Sequence, residues 1–151
     1  MTAGRPSHLA LIVLAVVVMA CTQAPVSPDG PGPGAEAQAG TGVVRVSDEA
    51  GVTVKVAWAG ASAGAVFEVT LDTHSGDLDP LDLAGAALRN DRGEQVSDAA
   101  WDAPSGGHHR SGALRFGTDA AALLAGARWI ELVIPDVADV AERVLRWQVD
   151  A

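Results

Sequence analysis

The sequence predicts an all-β fold, built from short antiparallel strands, for residues 43–151. Several segments alternate apolar and polar residues, which is the pattern of strands with one buried face. Turns that carry glycine or aspartate separate these segments at short intervals. Only two stretches, 78–88 and 118–127, have a helical composition. Proline and glycine weaken the first, and Thr118 offers an N-cap to the second, so one or two helical turns are expected.

Each strand is assigned from its own run of alternating residues. Seven strands, labelled A to G, are expected near residues 52–58, 65–73, 86–90, 95–101, 110–116, 127–134 and 143–149. A further short strand is placed at 43–46, and an Asn-Asp-Arg-Gly turn joins strands C and D. About seven short strands at this spacing are typical of an antiparallel immunoglobulin-like β-sandwich.

The hydrophobic core is expected between the inward faces of the two sheets. Its predicted members are Val54, Val56, Phe67, Val69, Leu71, Leu88, Leu114, Phe116, Ile130, Leu132 and Val144. Trp58, Trp129 and Trp147 are expected to join them, whereas Trp101 is the candidate for lining a surface groove. Because Cys21 is the one cysteine in the chain, no disulfide inside the chain can hold the sheets together.

Residues 1–20 have the layout of a bacterial secretory signal, with Arg5 near the start, an apolar run over 9–19 and a small residue before the cut. The apolar run is too short to cross about 30 Å of hydrocarbon as a helix. The VMAC ending at Cys21 resembles the lipobox of bacterial lipoproteins. This resemblance implies a lipid on the Cys21 thiol and cleavage of the signal just before it.

Residues 22–42 hold four prolines and five glycines and lack large apolar residues apart from Val26. This composition predicts a disordered tether whose ends lie roughly 25 Å apart. Without residues 1–20 the chain has nine Lys and Arg against 19 Asp and Glu, a formal charge of −10. Nucleic acid is therefore not an expected partner, and attachment to a membrane would depend on the lipid.

The segments FEVTLDTHSGDL, AALRNDRGEQV, SGALRF and WIELVI resemble the plan of small secreted immunoglobulin-like domains found behind lipoprotein signals. THSGDL and GGHHRSG also resemble segments of an uncharacterised bacterial group. The resemblance implies an extracytoplasmic protein, anchored in the cell membrane or outer membrane, whose sandwich serves as a binding or accessory module for an envelope protein. It implies no enzyme, and the sequence contains neither a Gly-x-Ser-x-Gly elbow nor a phosphate-binding glycine loop.

Two hypotheses account for the adjacent histidines in SGGHHRSG. His74, His108 and His109 fall where strands B and E lie side by side, and with Asp72 they form a candidate zinc or copper(II) site. Adjacent residues on a strand point to opposite faces, however, so His108 and His109 cannot both face one ion unless glycine breaks the strand. In the alternative, a glycine turn leads into strand E, and His74 and His109 form a polar clamp between strand ends.

Overall fold

The computed structural model describes residues 42–149. The predicted signal segment, Cys21 and all of the predicted tether except Gly42 lie outside the described residues. The strands are β1 (Val43–Glu49), β2 (Val52–Trp58), β3 (Val66–Thr73), β4 (Ala87–Asn90), β5 (Gln95–Val96), β6 (Ala100–Asp102), β7 (His109–Arg115), β8 (Trp129–Val137) and β9 (Val140–Gln148). One α-helix, α1 (Asp119–Leu124), and two single 3₁₀ turns, at Ala61–Ala63 and Leu83–Gly85, complete the elements.

The strands form two antiparallel sheets, one of five strands in the order β1-β2-β3-β7-β6 and one of four in the order β5-β4-β8-β9. In the labels predicted from the sequence, the first sheet contains A-B-E and the second part of D, and the second contains C-F-G and the first part of D. This is the strand distribution of the immunoglobulin-like sandwich, so the predicted fold class is confirmed.

Residues 42–149 form nine strands instead of the expected seven. The predicted strand D is divided into β5 and β6, and the short strand expected at 43–46 extends to Glu49 as β1. Within the predicted strand at 95–101, Val96 pairs with Leu88 in the four-stranded sheet, whereas Trp101 pairs with Leu114 in the five-stranded sheet. The polar connection 97–99 carries the chain from one sheet to the other, and it interrupts the strand.

Within residues 42–149, α1 is the only α-helix. The helix begins directly after Thr118, as predicted, but Thr118 has helical backbone angles and its side chain makes no cap hydrogen bond. The helix is held at its other end, where the Arg92 guanidinium donates to the carbonyls of Ala122, Leu123 and Ala125. These carbonyls have no acceptor role within the helix, which explains why so short a helix is stable here.

The core lies between the sheets, and most of its predicted members are fully buried. Val144 is 45% exposed, which contradicts its predicted place in the core. Trp129 and Phe116 are only half-buried. The error at Val144 is one of strand parity, since Arg143, Leu145 and Trp147 are the β9 residues that point inward.

Aromatic side chains fill one end of the core. The ring of Phe67 lies 6.1 Å from that of Trp58, 5.5 Å from that of Trp147 and 6.0 Å from that of Phe116. The indole Nε1 of Trp58 donates to the Gly64 carbonyl, so this donor is not left unpaired in the core. Such pairs contribute about 0.5–1.5 kcal/mol each beyond the area that they bury.

Buried side chains of β9 fix the edge strand β1. Arg143 is 1% exposed, and its guanidinium donates to four backbone carbonyls. The acceptors are the carbonyl oxygens of Ser47, Glu49, Val52 and Val137. Trp147 Nε1 donates to the Val43 carbonyl at 2.7 Å. Three of these acceptors, on Val43, Ser47 and Glu49, belong to β1, so the β9 side chains join the edge strand to the other sheet.

The sandwich has two ends, the Gly42 end and the far end. The Gly42 end contains the start of β1 and the connections 59–65, 91–94, 97–99 and 116–128. The far end contains the β1–β2 and β8–β9 turns and the connections 74–86 and 103–108. Most chemistry-bearing residues that the sequence singled out lie at the far end.

Candidate functional site

The motif SGGHHRSG forms a tight turn at the far end, between β6 and β7. The His109 amide donates to the Gly106 carbonyl at 3.1 Å, which closes the turn. Gly107 has φ of +60°, where glycine is favoured, and a Cβ on Gly106 would lie 2.0 Å from the His109 carbonyl oxygen. Both glycines are therefore required by the backbone, and the predicted glycine turn before strand E is confirmed.

Asp79 joins this turn to the neighbouring connection, 74–86. Its Oδ1 accepts from the amides of Gly106 at 2.7 Å and Gly107 at 3.1 Å. The Leu78 amide donates to the Gly107 carbonyl at 2.8 Å. The backbone hydrogen bonds from Gly106 and Gly107 lower the pKa of the Asp79 carboxyl, because they stabilise its charged form.

Arg110 is the central residue of the far end, and sequence reasoning missed it. The side chain is 8% exposed, and its guanidinium donates to five backbone carbonyls of the two long connections. The acceptors are the carbonyl oxygens of Leu78, Asp79, Leu81, Ala103 and Pro104. The guanidinium carbon also lies 5.9 Å from the centre of the Trp101 ring. The sequence did indicate its burial, because Arg110 is four residues from Leu114 on the same predicted strand and therefore points to the same, inward face.

His109 contacts Asp72 on the outer face of the five-stranded sheet. The two residues are cross-strand partners, and His109 Nδ1 hydrogen-bonds Asp72 Oδ1. Lys55 Nζ lies 3.2 Å from the other carboxylate oxygen. Partial desolvation raises the pKa of Asp72, but the hydrogen bonds from His109 and Lys55 outweigh it and hold that pKa below its usual range.

The predicted His74–His109 clamp is wrong in its partner, because the strand register places Asp72 opposite His109. His74 and His108 are exposed, and neither side chain makes a hydrogen bond within residues 42–149. His108 contributes its backbone carbonyl, which accepts from the Thr73 amide at 3.0 Å. Across residues 42–149, no three His, Cys, Asp or Glu side chains are grouped closely enough to hold a metal ion.

The Asp79 contacts predict a far end that loosens in acid. The lowered pKa of Asp79 means that its contribution to stability is complete above the usual carboxyl value of 3.8 and is lost as the pH falls through the lower folded value. We expect Asp79→Ala, which removes the acceptor, to speed amide exchange at Gly106 and Gly107 at neutral pH. Exchange measured by NMR checks this, with His74→Ala, an exposed residue on the same connection, as the control. Unchanged exchange in Asp79→Ala would contradict the described contacts.

The His109–Asp72 pair predicts a small coupling between two exposed side chains. We expect His109→Gln and Asp72→Asn each to lower the free energy of unfolding by less than about 1 kcal/mol, since exposed ion pairs contribute little. Their effects should be non-additive, because each variant removes the same contact. Thermal unfolding of both variants, the double variant and His74→Gln measures this, and strict additivity would mean that the contact contributes nothing to stability.

A cavity of about 570 Å³ opens at the Gly42 end, between α1, the 59–65 connection and the last described residues. Its lining is mostly small and apolar, with Arg128 as its charged residue. The Arg128 guanidinium is held by Asp91, with Nε 2.8 Å from Oδ2. The cavity therefore lacks the converging acid, base or nucleophile that catalysis requires.

No family model, curated protein or solved structure matches this chain. No helix within residues 42–149 has the length and apolar character needed to cross a membrane.

Proposed function

We propose that the protein is a membrane-anchored lipoprotein of the cell envelope, whose β-sandwich is a binding or accessory module on the extracytoplasmic side. The observation that carries the proposal is the VMAC sequence ending at Cys21. Cys21 follows a short apolar run, is the one cysteine of the chain, and is followed by a segment rich in proline and glycine.

Contacts between the far-end loops support a binding role. The far-end connections are joined to one another by Arg110 and Asp79. Loops held on a rigid sandwich are a common means of presenting a binding surface.

The Cys21→Ser variant tests the lipid anchor. We expect it to incorporate no labelled palmitate and either to keep residues 1–20 or to leave the membrane fraction, because the thiol is the attachment point. Thr22→Ser, which changes the neighbouring residue and keeps the thiol, should label and fractionate like the natural protein. A natural protein that takes up no label would contradict the proposal.

A zinc or copper(II) site using His74, His108, His109 and Asp72 is the second candidate function. The observation that favours it is the His109–Asp72 contact, which brings an imidazole and a carboxylate together at an exposed position. Both groups are ligands that these metals accept.

Thermal unfolding with micromolar zinc or copper(II) distinguishes this site from a purely structural pair. A metal bound only by the folded protein would raise the melting temperature, and the gain would vanish in His109→Gln and below about pH 6, where imidazole is protonated. We expect no shift, because only two of the four candidate ligands are in contact. A shift that His109→Gln abolishes would establish the metal site instead.

A further inference from the structure

We propose that the Gly42 end of the sandwich rests against the surface of the bilayer, with β1 and the 59–65 connection in contact with the lipid headgroups and the far end directed away. This inference rests on the proposed lipid anchor. It adds a fixed orientation, and a second contact with the membrane, to that anchor.

Exposed apolar side chains are concentrated where the described chain begins. Among residues 42–149, four large apolar side chains are exposed, and three of them are Val43, Val44 and Val46, at 55%, 51% and 57%. Val144, on β9, is the fourth. Val44 and Val46 share the outer face of the sheet, and all three valines lie within four residues of Gly42, with Arg45 between them. The segment that leads back to Cys21 therefore leaves the domain beside these valines.

The apolar surface continues from β1 onto the neighbouring elements. Val44 pairs with Ala57 on β2, and next to them is a shallow groove of about 270 Å³. The groove is lined by Gly42, Ala57, Ala59, Ala63, Val66 and Glu68. The connection 59–65 has the sequence AGASAGA and carries no charge. Glu68 is therefore the one charged residue in the groove lining.

Charge is distributed unequally between the two ends. The segments at the far end, 48–52, 74–86, 103–108 and 136–140, contain seven acidic residues, and the cations packed against them are the buried Arg110 and Arg143. The acids are Asp48, Glu49, Asp77, Asp79, Asp82, Asp136 and Asp139. The four connections of the Gly42 end contain four acidic residues and two arginines, and both arginines bond one of those acids. Anionic headgroups would thus repel the far end more strongly than the Gly42 end.

The anchor makes a weak contact sufficient. If residues 22–42 behave as the flexible tether that their composition predicts, a lipid at Cys21 keeps the domain within roughly 25 Å of the bilayer. The effective concentration of the surface is then on the order of millimolar, so a contact with a dissociation constant near that value is occupied about half the time. Interfacial binding of this strength requires only a small apolar area.

A quenching experiment on the lipid-anchored protein tests this orientation. A fluorophore is attached through an introduced cysteine at Ser62, at the Gly42 end, or at Ser75, at the far end; both positions are exposed. The purified lipoprotein is inserted into vesicles of phosphatidylcholine and phosphatidylglycerol at about 7:3, in which some lipids carry a headgroup quencher. We expect quenching at Ser62 to be at least twofold stronger than at Ser75.

Two variants separate the β1 contact from the anchor. Val44→Ser combined with Val46→Ser should abolish the difference between the two labels while the protein still floats with the vesicles. Val144→Ser, at the exposed valine of the opposite sheet, should leave the difference unchanged. Equal quenching at both labels in natural protein that floats would overturn the orientation and leave the anchor intact.

Two further results would each overturn the proposal. Protein that does not float would overturn the anchor, and this proposal with it. A Ser62 label that is shielded from soluble iodide, escapes lipid quenching and becomes more shielded as protein density rises would show that a second copy covers this face. That result would overturn the membrane contact.

Discussion

Arg143→Met is expected to lower the free energy of unfolding by about 3 kcal/mol or more, because each buried carbonyl that loses its donor costs about 1–3 kcal/mol. Methionine retains much of the arginine volume and donates nothing, so the carbonyls of Ser47, Glu49, Val52 and Val137 lose their donor. Burial lowers the pKa of Arg143, and the nearby Glu49 and Asp48 carboxylates oppose this, so the side chain remains a cation. Denaturant unfolding measures the loss.

Arg115→Met is the matched control for this prediction. Arg115 lies on an outer face, is about half exposed and is 3.6 Å from Asp102, so its loss should cost less than about 1 kcal/mol. Equal losses in the two variants would mean that Arg143 does not hold β1 against β9. Amide exchange along β1 should also increase in Arg143→Met and remain unchanged in Arg115→Met.

Arg110→Met is expected to lower the free energy of unfolding by about 2–3 kcal/mol, because unsatisfied buried acceptors are costly. The effect should be local as well as global, since all five carbonyl partners lie in the connections 74–86 and 103–108. Amide exchange should therefore rise first at the far end. The aromatic core near Phe67 should keep its protection until global unfolding.

His108→Gln is the control in the same segment, because the His108 side chain is exposed and only its backbone carbonyl is used. It should leave stability and far-end exchange close to those of the natural protein. A loss in His108→Gln that matches the loss in Arg110→Met would contradict the central position of Arg110.

The architecture was predictable because strand alternation and turn residues are local signals. Runs such as VTVKVAW and VFEVTLDT indicate which face of the strand is buried. The order of the runs along the chain predicted the correct neighbours in each sheet. The parity of β9 was harder to predict, since Val144 and Leu145 are adjacent and either could point inward. Only contacts across the sandwich, at Trp147 and Arg143, select the register.

The candidate site was only partly predictable. The glycine turn and the β3–β7 adjacency followed from the sequence. The partner of His109 depends on the exact register, because a shift of two residues would replace Asp72 with His74. Arg110 was overlooked because an arginine at the start of a strand is usually solvated. Its burial depends on five carbonyls that come together only in the folded chain.

The intact mass of the protein isolated from its native membrane fraction tests the lipoprotein proposal most directly. The account predicts a chain that begins at Cys21, lacks residues 1–20, and carries the added mass of fatty acyl groups that localise to the first residue on fragmentation. A chain that still begins at Met1, or one that is cleaved and carries no lipid, would contradict it.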